Sequence, residues 1–404
     1  MGAGGLSRAR LARMHDVIAG YVERGEVPGV VTLVSRRGES HVDAIGTMAF
    51  GGSEPVRPET IFRLSSMTKP VTAVAALILV EECALRLDEP VDRLLPELAD
   101  RRVLRRLDGP PDDTVPADRP ITVRDLLTFR LGVGIIMAPP GTYPVQRLIA
   151  ERLPASQGPP EPSVPPPPDE WIRRLGTLPL LYQPGDRWMY NTGSDVLGVL
   201  IARACGQPLE TFLRERVFEP LGMSDTGFSV PAAKLGRLAT GYSPDPDTGT
   251  FELSDEPVGG QWSRPPAFPS GAAGLVSTAE DYLAFSQMML DNGRYPGGRL
   301  LSRPSIETMT TDHLTPEQKA TADLLPGYFD SHGWGFGVAT VTRRDDVAGT
   351  VGSYGWDGGL GTSWLADPGE QMSTILLTQC AWTSPSPPDI CLDFQTCAYQ
   401  AIDD

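Results

Sequence analysis

The chain predicts an α/β (α+β) fold in which one antiparallel sheet, flanked by helices from the two termini, carries an inserted all-helical lobe. Three observations predict it. Residues 6–24 place Leu11, Met14, Val17, Ile18 and Tyr21 at helical spacing, and two strand-like runs follow at once. Three more strand-like runs and a closing helix stand at the other end of the chain. At 404 residues the chain exceeds one typical core, so more than one lobe is expected.

Taken in order, the first helix ends at Gly25, a residue suited to stopping a helix. Strands are predicted over 30–35 and 41–46, with Arg36-Arg37-Gly38 as the hairpin turn between them. A buried helix is predicted over 67–82, because residues 71–80 are almost entirely apolar. Two proline-rich stretches, 108–120 and 154–169, read as loops, since proline is excluded from helix interiors and central strands. The second is long enough to serve as a flap over a site, and an inert surface insertion fits it equally well. Residues 195–204 form a helical run, and Ser277-Thr278-Ala279-Glu280 has the capping-box spacing that starts a helix running to about residue 290. Strands over 335–342, 363–366 and 372–379 and a helix over 391–402 complete the pattern. The sheet lobe is thereby expected to comprise residues 1–89 and 243–404, and the helical lobe 90–242. No internal repeat is present.

Composition removes several classes of function. A net charge of −16 argues against nucleic acid and anionic membranes as partners. Residues 1–20 lack the continuous apolar core of a secretory signal, and 71–80 is too short to span a bilayer, so a soluble, cytoplasmic protein is expected. Five cysteines, an odd number without metal-type spacing, fit reduced and buried thiols. The four histidines form no His-Glu-x-x-His signature and there is no Gly-x-Ser-x-Gly elbow, which removes support for zinc hydrolases and Ser-His-Asp hydrolases.

Ser66-Met67-Thr68-Lys69 puts a hydroxyl and an amine on one helix face, three residues apart. Lys69 can then act as the proton acceptor that turns Ser66 into a nucleophile, which is acyl-transfer chemistry. A capping Ser followed by a solvated Lys has the same spacing. Lysine is scarce, however, at positions 69, 234 and 319 only, and no other Ser-x-x-Lys occurs. A removable proton demands Lys, because a guanidinium does not deprotonate in proteins. Burial in the apolar helix is expected to pull the Lys69 pKa toward neutrality.

Two further segments bear on the site. Tyr190 lies on the loop entering the helical run at 195–204, where a side chain can project into a cleft. Beside a lysine ammonium its phenol would have a lowered pKa and could exchange protons with a serine; a half-buried, hydrogen-bonded tyrosine is the plainer reading. Gly355-Trp356-Asp357-Gly358-Gly359-Leu360-Gly361 precedes a strand, and its glycines allow backbone N–H groups to approach a ligand, or simply form a turn around a packed Trp. Trp188, Trp262 and Trp356 are candidates for the walls of an acyl pocket as well as for the core.

Ser-x-x-Lys, then Tyr in a Pro-Gly-x-x-x-x-Tyr setting, then Trp-x-Gly before a strand resembles the serine β-lactamase/penicillin-recognising superfamily, in particular the class C β-lactamase-like family VIII carboxylesterases. The resemblance covers most of the chain, including residues 62–69, 121–128, 219–226 and 274–281. It implies a β-lactamase/transpeptidase-like fold with the active site in the groove between two lobes. It further implies Ser66 as the acylated nucleophile, Lys69 and Tyr190 as the shared general base and acid, and the amides of Ser66 and Gly359 as an oxyanion hole, with Trp356, Asp357 and Gly358 in the adjoining substrate-binding segment.

Three positions depart from the β-lactamase pattern. Thr192 stands where Asn is usual and Asn191 comes one residue early; Phe129-Arg130-Leu131-Gly132 replaces a His-x-Ser-Gly segment, making that wall more apolar; and Trp356 with Asp357 replaces the cation that opens the third motif. A β-lactam presents a carboxylate, which an aspartate repels. The expected activity is therefore carboxylester hydrolysis, typically of short-chain esters, or acyl transfer to an alcohol. The competing readings are a β-lactamase or D-amino-acid-specific peptidase or amidase, and a non-catalytic sensor on the same fold. The implied partner is a small-molecule ester or amide, no cofactor or metal is implied, and the oligomeric state is left open.

Overall fold

The computed structural model describes residues 4–245, 248–322 and 327–404. In chain order its main elements are α1 (Arg8–Glu23), β1 (Gly29–Arg36), β2 (Glu39–Gly46), α2 (Thr68–Glu81), α3 (Thr192–Cys205) and α4 (Ala279–Leu290). Strands β3 (His332–Trp334), β4 (Ala339–Val341), β5 (Tyr354–Gly358), β6 (Thr362–Asp367) and β7 (Met372–Thr378) follow, and α5 (Asp389–Gln400) closes the chain.

The seven strands form one antiparallel sheet in the order β3-β4-β5-β6-β7-β1-β2, so the two ends of the chain meet where β7 pairs with β1. Val30 sits opposite both Thr378 on β7 and Ile45 on β2, which places β1 in the interior with all eight residues buried. On one face α1 and α5 pack together and bury Leu11, Met14, Ile18 and Phe394 with Val30 and Leu376. On the other, α4 and α2 close the main core, in which Trp364 meets Tyr282 and Phe285.

Helix α2 has no polar side over its first turns, and residues 68–79 are all buried. It is a core helix packed against α3 and the short helix Leu209–Leu213. Helix Pro168–Gly176 packs against α3. Among the described residues no single helix is long and apolar enough to cross a membrane.

Five local expectations are corrected. Of the strand predicted over 335–342 only β4 is strand; residues 335–338 form the turn that joins it to β3, because Gly337 at φ +69° lets the apolar Phe336-Gly337-Val338 run turn back on itself. The glycine-rich segment around Trp356 is itself strand β5, and only residues 359–361 form the turn. Within the loop predicted over 108–120, Thr114–Pro116 pairs with Arg102–Leu104 at a sheet edge, where proline costs no ladder bond. Helix α4 is capped one residue later than predicted: Thr278 accepts from the Asp281 N–H at 3.2 Å, leaving Ser277 to bond Thr226. The cysteines are all unpaired, but only Cys380, Cys391 and Cys397 are buried; Cys83 is exposed and Cys205 half-buried.

Candidate active site

Ser66 sits at the junction of a 3-10 turn, Ser65–Met67, with α2. The junction is strained, since Ser65 is held at φ +48°, and the surroundings over-determine it. Leu64 accepts from Thr362 Oγ1 on β6 at 2.9 Å and donates its N–H to Leu275 at 2.8 Å, while Tyr282 on α4 donates to the Met67 carbonyl at 2.9 Å. Gly358 is required here for space: a Cβ on it would stand 2.1 Å from the Leu64 oxygen and 2.2 Å from Thr362 Oγ1. Sheet, α4 and nucleophile turn are thus pinned to one another.

One helical turn along α2, Lys69 Nζ lies 2.8 Å from Ser66 Oγ, and Tyr190 Oη lies 2.7 Å from the same oxygen. The three groups that the sequence singled out, one of them 124 residues away, therefore converge on one hydroxyl. Lys69 is fully buried and also donates to the Ala272 carbonyl at 2.9 Å. Burial lowers its pKa to about 7, partly opposed by the charge of Asp195. Its ammonium position lies 4.5 Å from the Tyr190 ring centroid.

For Tyr190 the expected direction of shift is reversed. Burial raises its pKa well above the ordinary phenol value, and the bonds with Ser66 and Trp356 only partly offset this. Because Lys69 is itself near neutrality, it does not supply the full positive charge that would favour a phenolate. The phenol is fixed from behind by Phe129, Trp188 and Trp356, with ring centroids 5.6–5.9 Å away. Trp356 Nε1 donates to Tyr190 Oη at 2.8 Å. Phe129 stands behind Tyr190 and is not part of the cavity wall.

A cavity of about 380 Å³ opens in front of Ser66. Its walls include Asn191, Trp356, Asp357, Gly359 and Leu360, together with the proline-rich stretch over 154–165, so that stretch does cover the site. Asn191, at φ +83°, is the residue after Tyr190 that reaches the wall, whereas Thr192 is buried. Trp188 and Trp262 lie in the core, the latter donating to the Gly274 carbonyl at 2.9 Å. The Ser66 and Gly359 N–H groups bond no other protein group among the described residues, and both residues border the cavity. Among the described residues no Lys, Arg or His lines it, while Glu161, Asp195 and Asp357 do. Burial raises the Asp357 carboxyl to about 6 against a hydrogen bond from Ser363.

Sequence reasoning missed Asp195. From the first turn of α3 it accepts from Ser270 Oγ at 2.6 Å and from the Ala272 N–H at 3.2 Å, thereby holding the loop whose Ala272 carbonyl anchors Lys69. Its burial raises its own pKa, and Lys69 draws it back down. An acid in the first turn of a helix is so ordinary a feature that only its apolar neighbours, Val196 and Leu197, hinted at burial.

A model of the β-lactamase family matches residues 14–389. The chain belongs to that family. An uncharacterised protein of Mycobacterium tuberculosis is 39% identical over 88% of this chain and 87% of its own length. Esterase EstB of Burkholderia gladioli is 32% identical over 93% of this chain and 92% of that protein. Among solved structures, EstCE1, described as a hydrolase with promiscuous acyltransferase activity, superposes with a TM-score of 0.77 at 26% identity, covering 97% of this chain and 99% of its own. The mixed architecture with its large antiparallel sheet is thus the β-lactamase and penicillin-binding-protein fold.

Proposed function

We propose that the protein is a serine esterase that works through an acyl-enzyme on Ser66. The observation that carries this reading is the convergence of Lys69 Nζ and Tyr190 Oη on Ser66 Oγ. Esterase and hydrolase relatives in the same family agree with it.

Neutral Lys69 takes the Ser66 proton as Oγ attacks the ester carbonyl carbon. The amides of Ser66 and Gly359 receive the developing oxyanion, and both are unengaged donors on the cavity wall. The carbon–oxygen bond to the alcohol then breaks, the departing alkoxide takes a proton from Tyr190, and the neighbouring Lys69 ammonium returns one to the phenol. Water or a second alcohol next attacks the acyl-enzyme, giving up its proton along the same pair, and Ser66 is regenerated. Tyr190 enters the reaction as the proton donor because burial holds its phenol protonated.

The direct test is Ser66→Ala with a p-nitrophenyl ester: turnover is expected to fall to the uncatalysed rate, and unchanged turnover overturns the reading. A pH profile checks the base. Below about 7 the amine is protonated and cannot accept, so kcat/KM is expected to fall tenfold per pH unit on the acid side and to level off above it.

Asp357 bears on which esters are accepted. Two like charges about 6 Å apart at an effective dielectric of about 20 repel by about 3 kcal/mol. A carboxylate-bearing ester is disfavoured accordingly, as a β-lactam would be. Asp357→Asn is expected to improve kcat/KM for a carboxylate-bearing ester at least tenfold relative to its neutral counterpart, measured above pH 7 where Asp357 is charged.

A further inference from the structure

The cavity at Ser66 has a neighbour. A second chamber of about 280 Å³ lies beyond it, and the two share Pro159, Pro160, Glu161 and Leu360 as their common wall. The proline-rich flap therefore roofs both spaces. It is tied down at two points: Gln157 Oε1 accepts from the Ile136 N–H at 3.0 Å, and Ser163 donates from both N and Oγ to Gln261 Oε1 at 3.2 and 2.9 Å. Gln261 is itself part of the second chamber. Prolines between these ties keep the roof stiff, so the double space is largely preformed.

The far chamber carries an unmet demand. Gln379, only 4% exposed, lines it, and Gln379 Oε1 has no hydrogen-bond partner. The amide is oriented by its other end, because Nε2 donates to the Thr47 carbonyl at 3.2 Å. A buried acceptor without a donor is uncommon in native proteins and asks for a ligand or a water. Of the charged groups of this chamber, Arg63 and Asp255 satisfy each other through a bond at 2.8 Å and the third, Glu161, is itself an acid, so the chamber offers no free cation to an anionic ligand.

We propose that the substrate is a long, neutral ester whose carbonyl sits at Ser66, whose apolar body passes beneath residues 159–161 and Leu360, and whose far end donates a hydroxyl hydrogen bond to Gln379 Oε1. This rests on the serine esterase reading above and adds to it a ligand class and a second subsite. Chain length and a terminal donor are the recognition features, and short esters use only the first chamber.

Two neutral ester series test it. One is p-nitrophenyl esters of C4, C7 and C10 acids, each with a terminal methyl and a terminal hydroxyl; the other is butyrates of C4, C7 and C10 alcohols and the matching diols. The hydroxyl is expected to raise kcat/KM about tenfold at C7 or C10 in one series and not at C4, and Gln379→Leu to reduce that hydroxyl-to-methyl ratio below twofold. The ratio is internal to each protein, so a general loss of activity does not imitate the effect. Absence of a hydroxyl preference at every length in both series, measured on the unaltered protein, overturns the proposal, as does a preference that persists in Gln379→Leu. Ser66→Ala is run alongside: turnover surviving in it overturns the esterase reading instead.

Discussion

Lys69→Met is expected to lower kcat for ester turnover by about a thousandfold while leaving the fold intact. General-base catalysis contributes about 10² to 10⁴ in rate, and no other base touches Ser66 Oγ. Methionine fits the same buried, unbranched slot, and removing an amine from a fully buried site relieves desolvation rather than opening a void. Stability is therefore expected to hold or rise, and the split between kcat and stability is the informative result. Lys69→Arg gives a second view, because guanidinium keeps the charge but cannot surrender a proton. A Lys69→Met protein that turns esters over at the original rate would remove Lys69 from the chemistry.

The second large effect is on stability. Arg63, immediately before the nucleophile turn, is 5% exposed and donates to Asp255, itself 7% exposed, and to the Ala239 carbonyl. Asp255 also accepts from the Gln261 N–H at 2.6 Å. Asp255→Ala leaves a buried guanidinium without its counter-charge, which costs about 3–5 kcal/mol. The urea midpoint is expected to fall accordingly with the slope unchanged. Replacing both partners, Arg63→Met with Asp255→Leu, removes the orphaned charge along with the pair and is expected to recover most of the loss. A double variant as unstable as Asp255→Ala would show that the pair matters for something other than charge compensation.

A smaller effect isolates the tryptophan at the cavity wall. Trp356→Phe keeps an aromatic ring against Tyr190 and Trp334 but deletes the Nε1–H bond to Tyr190 Oη. Tyr190 then has one restraint fewer, and kcat is expected to fall about tenfold with KM nearly unchanged. The kcat and KM values for one neutral ester decide it.

Much of this site was legible because its first two members obey a local rule. Ser66 and Lys69 are three apart on a helix whose apolar run fixes both its existence and its burial, so their contact follows from spacing alone. Tyr190 obeys no such rule; its place beside Ser66 depends on tertiary packing, and only the order of motifs along a related family pointed to it. Its protonation was misjudged because the sequence shows a cationic neighbour but not the burial of the phenol itself. Asp195, the Ala272 carbonyl and the free Gln379 oxygen were invisible because hydrogen-bond partners 75 to 332 residues apart leave no periodic trace. In the sheet, strand positions were readable from β-branched and apolar runs, and β6 and β7 fall close to where they were expected. The run at 335–342 misled because the turn at Gly337 is buried and apolar, without the polar residues that usually announce one.

Peptide mapping by mass spectrometry after treatment with a fluorophosphonate tests the central claim most directly. One covalent adduct on Ser66 is predicted, absent from Ser66→Ala and formed far more slowly in Lys69→Met. An adduct on another residue, or none on the folded protein, would contradict it.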